Sequence, residues 1–130
     1  MKTNRIILLA DDDFDYLFQT KFRLETAGFT VITASSQKEA EQLIEIGGFD
    51  AAVFDLMMEN DDSGFILAYK TKKLHPNTPV IISTAVTAET GYKFDTDNSW
   101  IKADLYLEKG VESEKIAEEL KKLLKSQNYG

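Results

Sequence analysis

Short apolar runs alternate along this chain with longer stretches in which apolar residues recur every three or four positions. Ile6–Ala10 is an unbroken apolar run, the pattern of a strand buried on both faces. Leu17, Phe18, Phe22 and Leu24 then fall at helical spacing, and Gly28 is a suitable stop. Residues 29–34 predict a second strand, placed at a sheet edge because Thr30 and Thr33 interrupt it. Ser36 and Glu39 have the spacing of a capping box, followed by a stripe of Ala40, Leu43, Ile44 and Ile46 that ends at Gly47-Gly48. Residues 51–54 form a short, fully apolar third strand, with Asp55 directly behind it.

The alternation continues to the C-terminus. Ser63–Leu74 reads as a helix that stops before Pro76. Residues 79–83 are a very apolar and therefore central strand, and 105–107 predict the fifth. Between them, residues 87–102 are the least regular, with Gly91, Asp95, Asp97 and Asn98 among Tyr92, Phe94 and Trp100, and a short or frayed helix is expected there. Residues 112–125 are clearly amphipathic, with Ile116, Leu120, Leu123 and Leu124 on one side. Five strand–helix units with short connections predict an α/β fold, a parallel sheet covered on both faces and doubly wound by right-handed crossovers.

Composition narrows the field. A chain of 130 residues, 43% of them hydrophobic, fits one domain over 1–130, with its core at 5–125 and no output domain behind it. A net charge of -7 argues against nucleic-acid and anionic-membrane partners, both of which reward clustered Lys and Arg. Without cysteine there is neither a disulfide nor a thiolate metal site. The N-terminal apolar run is too short for a signal peptide or a membrane span, so a cytoplasmic location is the expectation.

The chemistry gathers at the strand ends, where open α/β sheets bind ligands. Strand one delivers Asp11 and Asp12, strand three Asp55, strand four Thr84, and strand five leads to Lys109. Clustered carboxylates are costly unless a cation offsets them, and this set suits Mg2+, a hard ion that takes a few carboxylates and keeps several waters. A lysine in the same crevice suits a phosphoryl group. Asp13 reads as a helix N-terminal charge, not a ligand. His75, alone in a loop, reads as inert, and Met58 as core. No histidine base or Gly-rich phosphate loop is evident.

Four segments together carry a resemblance: 7–13 (Ile-Leu-Leu-Ala-Asp-Asp-Asp), 54–58 (Phe-Asp-Leu-Met-Met), 79–85 (Pro-Val-Ile-Ile-Ser-Thr-Ala) and 103–109 (Ala-Asp-Leu-Tyr-Leu-Glu-Lys). The chain resembles the response-regulator receiver domain of two-component signalling, over essentially its whole length and in the stand-alone form. The resemblance implies a flavodoxin-like (βα)5 sandwich with strand order 2-1-3-4-5. It implies that Asp55 accepts a phosphoryl group from a phosphohistidine on a sensor histidine kinase or histidine phosphotransfer protein, with Mg2+ as cofactor. Asp12 would bind the metal directly, Asp11 through a water, and the Met57 carbonyl would complete the set beside Asp55. Lys109 would pair with Asp55 or its phosphate. Thr84 and Tyr106 would move together to switch the surface around strand five for a downstream protein. Such a protein is not a classical enzyme. A monomer or a weak phosphorylation-dependent dimer is expected.

The chain departs from the family in three places. Gly110 follows Lys109 where proline is usual, which would loosen the lysine. The loop after Asp55 is one residue longer and carries Glu59, Asp61 and Asp62, whose charge would favour metal over bare phosphate. The stretch from Thr84 to Lys109 is a few residues longer than usual. Met57 and Val86 offer no polar group to orient a hydrolytic water, so the phosphorylated form should lose its phosphate slowly. Two other functions fit parts of the pattern: a degenerate receiver that binds its partner without phosphorylation, and a metal-dependent phosphatase using the same carboxylates.

Overall fold

A computed structural model describes residues 5–84, 103–109 and 115–127, with side chains described as far as Lys125 in the last segment. Among the described residues five parallel strands form one sheet: β1 Ile6–Ala10, β2 Thr30–Ala34, β3 Ala51–Asp55, β4 Val80–Thr84 and β5 Leu105–Glu108. Their order is β2-β1-β3-β4-β5. The described helices are α1 Phe14–Thr26, α2 Gln37–Ile46, α3 Ser63–Leu74 and α4 Ile116–Gln127. The irregular segment at 87–102 and the start of the last predicted helix at 112–114 lie outside the described residues.

Strand periodicity builds two cores. Successive side chains of a strand point to opposite faces. Leu8 and Ala10 of β1 therefore join Phe54, Ile82, Ile44, Phe65 and Leu67 on the side of α2 and α3. Ile7 and Leu9 join Val53, Ile81, Leu24, Ile116 and Leu120 on the side of α1 and α4. Burial on both faces explains why β1, β3 and β4 read as continuous apolar runs. β2 lies at the sheet edge, where Thr30 and Ile32 face water.

Helix ends follow the residues the sequence offers. At the end of α1, Gly28 takes a φ of 103°, and Phe29 N–H donates to the Leu24 carbonyl while Gly28 N–H donates to Glu25. That pair of bonds is a Schellman closure. At the start of α2 the Ser36 hydroxyl accepts from Glu39 N–H at 3.1 Å. The Glu39 carboxylate returns to Ser35 N–H at 2.8 Å, one residue further out than the usual box.

Three expectations need correction. On α1, Phe18 and Phe22 lie outside the core, 73% and 66% exposed, and Phe14 continues their stripe. The buried face is instead Leu17, Thr20 and Leu24. Ile46 is exposed, because the stripe of α2 stops at Ile44. His75 is not a free loop residue but half-buried: its Nε2 lies 2.8 Å from the Ile44 carbonyl at the end of α2, and its ring meets Phe49 edge-on.

Candidate functional site

Each site residue stands where a strand ends. Asp11 follows β1, and its N–H donates to the Ala34 carbonyl, so the β1–β2 ladder extends to it. Asp55 is the last residue of β3 and lies opposite Ser83 of β4. Thr84 closes β4, and its carbonyl accepts from Lys109 N–H at 2.8 Å. The backbone of Lys109 is thus tied to the central sheet before Gly110, which lies outside the described residues.

Side chains far apart in sequence converge here. Asp11, Asp12 and Asp55 each present a carboxylate oxygen, all within 4.8 Å of one another. Lys109 Nζ bridges two of them, 2.8 Å from Asp11 Oδ2 and 3.1 Å from Asp55 Oδ1. Asp11 and Asp55 are buried, while Asp12 is exposed at the mouth. Burial pushes the Asp55 carboxyl up to about 7; the Asp11 charge adds to this and Lys109 opposes it. For Lys109, burial alone would lower the pKa, but the contacts with Asp11 and Asp55 outweigh it and the net shift is upward.

Three acids around one ammonium leave an excess of negative charge. Their close oxygens fit a small hard dication, and the exposed Asp12 gives it access to water. Asp13 stands apart from the cluster. It caps α1, its Oδ1 accepting from Asp15 and Tyr16 N–H at 3.0 and 3.2 Å. The Met57 side chain is 43% exposed, while Met58 packs against the core. Tyr106 is half-buried, its ring edge-on to Phe65. Val86 lies outside the described residues.

Glu59 is held by the start of α2. Its carboxylate accepts from Gln37 N–H, at the first turn of α2, at 2.9 and 3.1 Å. Asn60 and Ser63 join the same junction through the Gln37 side chain. The longer loop after Asp55 is therefore fastened to the neighbouring helix.

Two contributors escape a reading of the sequence. Gly64 lies so close to β3 that a Cβ there would sit 2.7 Å from the Asp55 carbonyl oxygen and 2.7 Å from Leu56 Cα. A glycine opening a helix straight after the acidic loop is the available signal. Tyr16 hydrogen-bonds Ser83 Oγ through its hydroxyl at 3.1 Å, and Lys109 Nζ lies 4.5 Å from its ring centroid. No local pattern marks that role.

An open parallel sheet in this strand order, with carboxylates and a lysine gathered at one edge, defines an α/β domain of the flavodoxin-like class. The chain belongs to the response regulator receiver domain family, whose model matches residues 7–121. It is 37% identical over 79 residues to the transcriptional regulatory protein GlrR of Escherichia coli K12, a match covering 61% of this chain and 18% of that protein. The alginate biosynthesis transcriptional regulatory protein AlgB of Pseudomonas aeruginosa is 35% identical over 82 residues, with 63% and 18% covered. The chain thus spans about a fifth of the length of these curated relatives. Among solved structures, a CheY-like receiver domain protein from Methanospirillum hungatei JF-1 superposes with a TM-score of 0.80 at 30% identity, covering 96% and 97% of the two chains. TrrA of Thermotoga maritima, solved in complex with Mg2+ and BeF, gives 0.77 at 25% identity, with 92% and 98% covered. Receiver domains are the phosphoacceptor modules of two-component systems, bind Mg2+ at an acidic pocket and interact with histidine kinases or phosphotransfer proteins. No helix among the described residues is long and apolar enough to cross a membrane.

Proposed function

We propose that this domain takes a phosphoryl group onto Asp55 from a phosphohistidine and answers by changing its surface around β5. The observation that carries the reading is the bridge of Lys109 between Asp11 and Asp55 beside a third carboxylate. An Asp55 oxygen attacks phosphorus, the P–N bond to the donor histidine breaks, and the ring nitrogen keeps the bonding pair. Phosphoryl transfer asks little covalent work of the protein, so positioning and charge supply the catalysis.

The residues divide that task. Asp11, Asp12 and Asp55, with the Met57 carbonyl, would hold Mg2+, which neutralises phosphoryl oxygens when bound. Lys109 supplies a second positive charge to the same oxygens. Thr84, at the end of β4, offers its hydroxyl to the phosphoryl group. Tyr106 follows by packing further inward past Phe65, which changes the face of β5. A kinase or phosphotransfer protein is the donor, and a second protein reads the changed face.

Incubation with acetyl phosphate and Mg2+, followed by intact mass, tests this. A gain of one phosphoryl group that disappears in Asp55→Asn is the expected result. No gain at all would favour a receiver that works without phosphorylation, and multiple turnover of small phosphate esters would favour a phosphatase.

A further inference from the structure

Tyr16 touches both ends of the site although it belongs to neither the acids nor the lysine. It sits in the first turn of α1, where the Asp13 cap holds its backbone. Its hydroxyl is pinned to Ser83, a buried residue opposite Asp55 and next to Thr84. Between these anchors its ring lies 4.5 Å from the Lys109 ammonium. A ring held at both ends has little freedom to turn away from the cation.

We propose that Tyr16 is a positioning residue, which holds the Lys109 ammonium over the carboxylate crevice by cation–π attraction so that it meets an arriving phosphoryl group. This deepens the phosphoacceptor reading and rests on it. An ammonium has three N–H donors and no acceptor. Two are directed at Asp11 and Asp55. The aromatic face attracts the charge without demanding a strong directional hydrogen bond, so a donor remains for the phosphoryl oxygen. Asp13 and Ser83 thereby serve the reaction indirectly, through the tyrosine.

The test is a double-mutant cycle on the full chain, with Tyr16→Leu and Lys109→Met singly and together. Phosphorylation by acetyl phosphate is followed at saturating Mg2+, and Mg2+ affinity is measured separately by calorimetry. Tyr16→Leu should lower the maximal rate about fivefold to tenfold, the range expected of a partly desolvated cation–π contact, while Mg2+ affinity changes by less than about twofold. Tyr16→Phe, which keeps the ring, should recover most of that loss. In the Lys109→Met background, Tyr16→Leu should add nothing. An equal loss in that background, or a Tyr16→Phe variant as slow as Tyr16→Leu, overturns the proposal. The same cycle is run on urea unfolding. If wild type takes no phosphoryl group, the functional reading fails by itself, and coupling or additivity in urea still decides whether the ring holds the lysine.

Discussion

Replacing Asp55 with asparagine should make the protein more stable, and by an amount that depends on pH. Folding carries this carboxyl from its ordinary value near 3.8 to about 7, first because it is buried and second because Asp11 lies beside it. The folded state therefore binds the proton more tightly than the unfolded state. Stability from this group is greatest below about pH 4, falls as pH rises between the two values, and has been lost above about pH 7. Each tenfold preference for the proton is worth about 1.4 kcal/mol, so the full span is about 4 kcal/mol. Water at the open mouth screens part of this, and roughly half, or about 2 kcal/mol, is the working figure. The amide of the variant has no charge to desolvate, and Lys109 keeps Asp11 at 2.8 Å. In EDTA at pH 8, Asp55→Asn should melt roughly 6–8 °C above wild type. At pH 5 the gap should shrink to less than half, because the wild-type carboxyl is then largely protonated when folded. Thermal melts from pH 5 to 8.5, with urea unfolding at the two ends, measure this directly. A variant less stable than wild type at pH 8 would mean the opposite, that Lys109 more than offsets the burial of Asp55 and the crowding of the acids.

Four further outcomes follow from named contacts. Gly64→Ala would force a methyl group to within 2.7 Å of the backbone at Asp55 and Leu56, and should cost roughly 1–3 kcal/mol in urea unfolding as the strand and α3 separate. Glu59→Ala removes the carboxylate that accepts from Gln37 N–H; it should lower stability by about 1 kcal/mol while calorimetry finds Mg2+ affinity within about twofold of wild type. The phosphorylated protein should have a half-life above about one minute in Mg2+, by mass spectrometry against time, because Met57 offers a thioether where a polar group would orient water; a hydrophilic Met57→Asn variant should shorten it. Removing the His75 contact to Ile44 by His75→Ala should cost about 1 kcal/mol and leave phosphorylation rates unchanged.

The sheet is legible in the sequence because strands buried on both faces leave long apolar runs, and their C-terminal ends point to the ligand edge. Asp11, Asp55, Thr84 and Lys109 stand out for that reason: polar residues directly behind apolar strands. The pattern misleads on α1 because two stripes compete there. Phe14, Phe18 and Phe22 fall at helical spacing as well as Leu17, Thr20 and Leu24 do, and the phenylalanines are the more apolar set. Only docking onto β1 and β2 decides which stripe is covered. Tyr16 and Gly64 are hidden for a different reason. Their roles depend on distances to Lys109 and to the β3 backbone, which are set by tertiary packing and leave no local period. Proximity in sequence assigns Glu59 to the site, whereas the start of α2 offers its carboxylate unpaired N–H groups.

The strand order also fixes when the charges of the site meet. β1 lies between β2 and β3, so residues 6–55 can pair into a three-stranded unit without the rest of the chain. That unit already holds Asp11, Asp12 and Asp55. Their cation arrives only with Lys109, directly behind β5, which among the described strands pairs only with β4. Pairing in chain order would therefore assemble the acids first and neutralise them last. Docking of β5 would then gain the charge relief as well as its ladder, and closure of the sheet should be more cooperative than so short a strand would suggest. Pulse-labelled hydrogen exchange during refolding should find amides of β1 and β3 protected before those of β5, and added Mg2+ should narrow the interval.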